Sequence, residues 1–242
     1  MNTAEYVRTM LDRNYEKTET LKKSFDTTVL HYRHKATGKD LIVIESVNAN
    51  DFAYKNLIGL TSRHLPRVYD VYSTPEKLIV LEEYVPGETL EQVLRREKLS
   101  GKAAVGYLLE LCDAVDILHS RGIIHRDIKP SNIILSPDGL KLIDFSIARL
   151  MREGRKSDTV PLGSVGYAAP EQFGISQSGP ATDIYAIGVL FNELLTGRHP
   201  TEGVAPGRAG KIISRCLQIE KQKRYKSVAQ LRAEIKTVRA VH

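Results

Sequence analysis

Residues 125–132 read His-Arg-Asp-Ile-Lys-Pro-Ser-Asn and set an acid, a lysine and an amide at positions 0, +2 and +5 of one short loop. This set suits phosphoryl transfer to a hydroxyl. Asp127 would act as base or orienter of the nucleophile, Lys129 would steady the transferred phosphate, and Asn132 would hold a magnesium ion. Twelve residues beyond Asn132, the short apolar run Leu142-Ile143 ends in Asp144. An acid at a strand end beside a second oxygen ligand suits Mg²⁺, which takes few protein ligands. Asn132 and Asp144 are therefore the candidate metal ligands.

Positioning such a loop needs a scaffold on both sides. Upstream, short β-type runs at 28–32, 41–47, 68–72 and 78–84 are separated by turn chemistry, with room for one short helix at 50–60. Antiparallel strands with a single helix predict a small α+β lobe. Val85-Pro86-Gly87 then punctuates the chain. Beyond it, Thr89 with Gln92 predicts a capping box, and 105–118 repeats apolar residues at helical spacing. A second apolar helix at 184–195 should end at Thr196-Gly197, and 212–217 and 228–238 supply two more. The expected plan is α+β and bilobal: one domain over 1–242, with a β-rich lobe at 1–85 and a helical lobe at 86–242.

Composition agrees with a globular chain. Apolar residues make up 42% and charged residues 26% of 242 positions, enough for a sizeable core. The formal charge of +6 includes no block of five or six like charges, so a nucleic-acid tail is not indicated. Cys112 and Cys216, the only cysteines, fit reduced buried thiols better than a disulfide framework. Residues 1–17 lack an apolar stretch of the signal-peptide kind, and no run approaches the ~18 residues of a membrane span. A cytoplasmic location is the expectation.

The loop, Asp144-Phe145, and the later segment Gly163-Ser164-Val165-Gly166-Tyr167-Ala168-Ala169-Pro170-Glu171 together carry a resemblance. The chain is similar to the eukaryotic-type protein kinases of the serine/threonine branch, which bacteria also carry, from about residue 20 onward. The resemblance implies ATP and Mg²⁺ as cofactors and a protein substrate or partner. It makes Asp127 the catalytic aspartate, Lys129 the phosphate-steadying lysine, and Asn132 and Asp144 the metal ligands. It further implies that Glu171 pairs with a buried arginine, here Arg224, and that Asp183 anchors the catalytic loop from beneath. Leu57, Val68, His125, Phe145 and Asp183 should form a buried stack. Arg126 would receive a phosphorylated residue of the activation segment, for which Ser157 and Thr159 are the candidates. The nucleotide would be held by Val29, Ile42, Glu83, Val85 and Ile134.

The nucleotide-cradling part departs from that pattern. Lys22, Ser24 and Thr27 stand where three glycines belong, Ile42 replaces a small alanine, and Ile44 takes the place of the ATP-binding lysine. Ala53 stands where the helix glutamate should be, and Glu82 falls at the gatekeeper position. Loss of lysine and glutamate together is self-consistent, because either charge left alone in a cleft is costly. Lys22 or Lys23 could supply the missing cation from the phosphate loop. Ser146 replaces the glycine after Asp144-Phe145, and the short stretch from Pro200 to Ile212 leaves the substrate-side helix deleted or very short. Two readings remain: an atypical serine/threonine kinase, or a pseudokinase that binds partners with weak or absent turnover. A small-molecule kinase is disfavoured by Ala169-Pro170-Glu171.

Overall fold

The computed structural model describes residues 3–47, 51–151, 163–173 and 177–238. The chain forms two compact units, Met1–Val85 and Pro86–His242.

The first unit is built on a five-stranded antiparallel sheet of order β1-β2-β3-β5-β4. Its strands are β1 (Tyr15–Lys23), β2 (Thr27–His34), β3 (Asp40–Ser46), β4 (Val68–Ser73) and β5 (Leu78–Glu83). Alternation along the strands gives the sheet two faces. Leu30, Leu41, Val43 and Ile79 point to one face and meet Val7 and Leu11 of helix α1 (Thr3–Asn14) in a single apolar cluster. Arg8 of α1 and Lys77 both reach Glu45 of β3, the lysine at 2.6 Å. Burial pushes the Glu45 carboxyl up, but these two cations outweigh it and hold the carboxyl below its ordinary range. Helix α2 (Asp51–Leu57) buries Ala53, Tyr54 and Leu57.

Neither α1 nor β1 was expected from the sequence. Eight of the nine residues of β1 are exposed, so it lacks the apolar alternation that marks a half-buried strand. Among its described side chains, helix α1 offers the core only Val7 and Leu11, one turn apart.

In the second unit a small sheet of order β6-β8-β9 joins β6 (Glu88–Thr89), β8 (Ile133–Ser136) and β9 (Gly139–Leu142). A two-stranded ladder joins β7 (Ile123–Ile124) to β10 (Arg149–Leu150). Helix α3 (Leu90–Arg96) opens with the expected capping box of Thr89 and Gln92. Helix α4 (Gly101–Ser120) starts where Ser100 Oγ accepts the Ala103 N–H, and it buries the stripe Ala104, Leu108, Leu111, Cys112, Val115 and Leu118. Helix α5 (Pro180–Thr196) ends at Gly197, whose φ of 69° is the left-handed cap that a residue with Cβ adopts only under strain. Helices α6 (Gly207–Cys216) and α7 (Val228–Ile235) complete the unit. Between α5 and α6 the chain makes only the three-residue 3₁₀ turn Pro200–Glu202, so no substrate-side helix is present there.

Both cysteines are buried free thiols, on α4 and α6. Among the described residues, no helix is long and apolar enough to cross a membrane.

Candidate active site

The loop between β7 and β8 is pinned from below by one carboxylate. Asp183, near the start of α5 and 0% exposed, accepts the backbone N–H of His125 at 3.0 Å and that of Arg126 at 2.8 Å. The His119 side chain at the end of α4 lies 2.8 Å from its Oδ2. Burial would push this carboxyl up, yet the His119 contact, the His125 ring and the Arg126 N–H together hold it below the ordinary range. A buried ion survives there because both of its oxygens are hydrogen-bonded.

The anchoring bends the backbone. Arg126 has φ 70° and Asp144 φ 68°, the only described non-glycine residues in the left-handed region. Such strain persists only where surrounding contacts over-determine it, and it gathers at functional sites. Gln172 fixes the same turn from the other side: its Nε2 donates to Arg126 O at 2.9 Å while its Oε1 accepts from Ala169 N. His125 Nε2 lies 3.2 Å from Ile143 O, and its ring meets Phe145 edge-on at 5.6 Å.

Above this base the polar groups converge. Lys129 Nζ donates to Asp127 Oδ2 at 2.7 Å and to Ser164 Oγ at 2.6 Å. Ser164 Oγ in turn donates to Asp127 Oδ1 at 2.6 Å. Asn132 sits in a 3₁₀ turn, Pro130–Asn132, and its Nδ2 donates to Asp127 O and Oδ2, each at 2.9 Å. Both amide hydrogens are thereby spent on Asp127, which leaves Asn132 Oδ1 as an unengaged oxygen. Ile143 N donates to Asn132 O at 2.9 Å, tying the residue before Asp144 to the loop. Asn132 Oδ1 and the Asp144 carboxylate are hard oxygen donors, the kind and number that a Mg²⁺ site built from few protein ligands uses. The residues present fit that ion.

Ser164 and Gln172 are site residues that reading the sequence for catalytic types passed over. Their only signal was position, one after Gly163 and the other just after Ala169-Pro170-Glu171. Ser146, expected to restrain the segment after Asp144-Phe145, donates its N–H to Asp144 Oδ1 at 3.2 Å. The left-handed residue is Asp144 rather than Ser146, so this conformation does not require a glycine at 146.

A second anchor lies under the activation segment. Arg224, with a fully buried side chain, grips Glu171 through two bonds of 2.8 and 2.9 Å. Its remaining N–H groups go to the carbonyls of Ala181, Gln218 and Ile219, and Thr182 Oγ1 donates to Glu171 Oε1. Tyr167 OH donates to Glu193 Oε2. Residues 152–162 lie outside the described residues, and with them Ser157 and Thr159.

The candidates for holding nucleotide divide between the units. Ile134 is a half-buried residue of β8, paired with Thr89 and Lys141. In the first unit, β-register sorts the others by face. Lys22, Val29, Ile44 and Val80 form one cross-strand row, and Glu19, His31, Ile42 and Glu82 form the next. Both rows lie on the face away from α1, where Ile42 and Ile44 are nearly fully buried. Glu82 pairs with Ile42 across the strands. Glu83 exchanges bonds with Arg67, its N–H to Arg67 O and its carboxylate to Arg67 N, so that carboxylate is engaged within its own unit. Val85 is buried.

The two lysines held open by the sequence separate here. A one-residue bulge at Leu21 pairs Lys22 with Val29 and Lys23 with Thr28. Lys22 therefore shares the Val29–Ile44 face, and Lys23 falls on the opposite face with Glu45.

The protein kinase domain family fits residues 51–239. A probable serine/threonine-protein kinase PknB of Lactococcus lactis is 36% identical over 156 residues, covering 63% of this chain and 24% of that protein. Serine/threonine-protein kinase PknL of Mycobacterium tuberculosis is 36% identical over 147 residues, or 60% of this chain and 37% of that protein. CBL-interacting serine/threonine-protein kinase 21 of Arabidopsis thaliana is 34% identical over 202 residues, 81% of this chain and 47% of its own length. This chain belongs to the protein kinase family, in its eukaryotic-like serine/threonine branch. It spans from 24% to 47% of the length of these relatives.

Proposed function

We propose that this chain is a Mg²⁺- and ATP-dependent serine/threonine protein kinase in which Lys22 replaces the lysine missing from β3. The observation that carries the reading is the closed set Asp127, Lys129, Ser164 and Asn132, with every bond between 2.6 and 2.9 Å. A scaffold needs no acid whose two oxygens face a lysine, a serine hydroxyl and an amide at once. Asp127 would orient a substrate hydroxyl and take up its proton. Lys129 would shift from Asp127 toward the transferred phosphate, and Ser164 would hold both in register. Asn132 Oδ1 and Asp144 would hold magnesium, which when bound neutralises charge developing on the phosphate oxygens. In the first unit, the face bearing Val29 and Ile42 would cover the base, with the backbone near Glu83 and Val85 reading its edge; in the second, Ile134 would be an apolar contact for it. The catalytic, cofactor-binding and metal roles of all these residues are parts of this proposal, as is their assembly into one kinase domain.

A second reading, a pseudokinase serving as a binding or allosteric module, is favoured by Ile44 at 5% and Ala53 at 0% exposure. Apolar residues fill the positions of both members of the ion pair. One experiment divides the readings: incubation with Mg²⁺ and γ-labelled ATP, for the parent chain and for Asp127→Asn, Lys22→Ala and Lys23→Ala. Kinase chemistry requires label on serine or threonine in the parent and none in Asp127→Asn. Lys22→Ala should lose about 10²–10³ in rate, the cost of one preorganised donor, while Lys23→Ala stays near the parent. Absence of both labelling and ATP-dependent thermal stabilisation would leave the pseudokinase reading.

A further inference from the structure

Helix α6 is strongly two-sided. Ala209, Ile212, Ile213 and Cys216 are buried, while Lys211, Ser214 and Arg215 are exposed along the other side and continue into Gln218. The connection from α5 holds no helix that could cover this side. The outcome is an open groove of about 850 Å³ whose lining includes Val204, Lys211, Arg215, Gln218, Gln222 and Lys223. Three cations line it and no carboxylate does.

These cations are differently held. The Arg215 guanidinium lies 4.3 Å over the Tyr225 ring, a contact that fixes its orientation without neutralising it. Lys211 makes no hydrogen bond or ion pair among the described residues. Lys223 meets Glu220 at 2.6 Å, but both side chains are about 60% exposed, and such surface pairs contribute little. Arg208, one residue into the helix, is by contrast satisfied by Glu234.

We propose that this groove docks an acidic, extended segment of a protein partner. An arginine fork held in place beside a free lysine recognises carboxylates, and the Gln218 and Gln222 amides supply neutral donors between them. Nucleic acid fits less well. None of the groove's lining residues is aromatic, and the Tyr225 ring is covered by Arg215, so the lining offers no platform on which bases could stack. The surface is independent of phosphoryl transfer, and it would tether a substrate or regulator where the family's substrate-side helix is missing.

The test is fluorescence anisotropy on the whole chain without nucleotide, using a labelled glutamate-rich peptide, its glutamine counterpart and a single-stranded DNA oligomer of similar length. The glutamate peptide should bind, and salt should weaken it. Lys211→Glu should weaken it about tenfold, whereas Lys102→Glu, the same charge change on α4, should alter it by about twofold or less. Arg215→Lys, which keeps the charge but loses the fork, should also weaken binding while the thermal midpoint is kept. Equal losses in Lys211→Glu and Lys102→Glu would overturn the proposal, since only net charge would then be felt. So would equal binding of the glutamine peptide, or tighter binding of DNA that Lys211→Glu abolishes. Because no nucleotide is present, each of these results leaves the kinase reading untouched.

Discussion

Replacing Glu171 by alanine should unfold the second unit far more readily than a surface change would. The structure leaves Arg224 with a fully buried side chain and two of its five bonds directed at the lost carboxylate. Its three carbonyl partners remain, but no negative charge does. Removing one member of a buried pair costs about 3–5 kcal/mol. At about 2–4 °C per kcal/mol for a chain of this size, the thermal midpoint should fall by about 6–20 °C. Pairing the change with Arg224→Met should recover much of the loss, because the uncompensated charge is then gone. The pH dependence follows from the carboxyl's position. Arg224 outweighs the effect of burial and holds Glu171 below its ordinary range. A depressed carboxyl stabilises above its unfolded value, about 4.3, and that stability is lost as pH falls through the folded value. The gap between the parent and Glu171→Gln should therefore be full near neutrality and close in acid. Calorimetry of the four chains of the double-mutant cycle checks this. A loss below about 1 kcal/mol, or singles that simply add, would refute the reasoning.

Three further outcomes are expected. Ser164→Ala should keep the thermal midpoint within about 1 kcal/mol yet lower labelled phosphate transfer at least tenfold, because it removes the hydroxyl that joins Lys129 to Asp127; unchanged transfer would remove Ser164 from the site. Gly188→Ala would set a Cβ 2.4 Å from Cys216 Cβ where α5 meets α6, at a cost of about 1–3 kcal/mol in a denaturant titration, and a neutral result would show that the contact relaxes. Burial pushes the Cys112 thiol up to about 12 and raises that of Cys216 as well, so neither should react with a disulfide reagent at neutral pH until denaturant is added.

The helical unit was legible because its chemistry is local in sequence. Asp127, Lys129 and Asn132 fall within six residues, and Thr89 with Gln92 or Thr196 with Gly197 mark helix ends by neighbouring side chains alone. The partners of Asp183 and Glu171 lie more than fifty residues away, yet each is a charge with no reason to be buried alone, and the family pattern placed its mate. Ser164 and Gln172 escaped because a serine and a glutamine are ordinary surface residues until the fold brings them to Asp127 and Arg126. In the sheet unit the difficulty was different in kind. Tyr15 to Lys23 has no apolar alternation, so neither the strand nor its bulge could be read from it. That bulge decides which lysine shares the face of Ile44. Counting by twos from Glu19, on the His31 face, would put Leu21 and Lys23 on that face and Lys22 on the other. The extra residue at 21 reverses the count, so Lys22 joins Val29 and Ile44 while Lys23 turns toward Thr28 and Glu45. A substitute for the β3 lysine must share the face of the residue it replaces, and among the two candidates only Lys22 does.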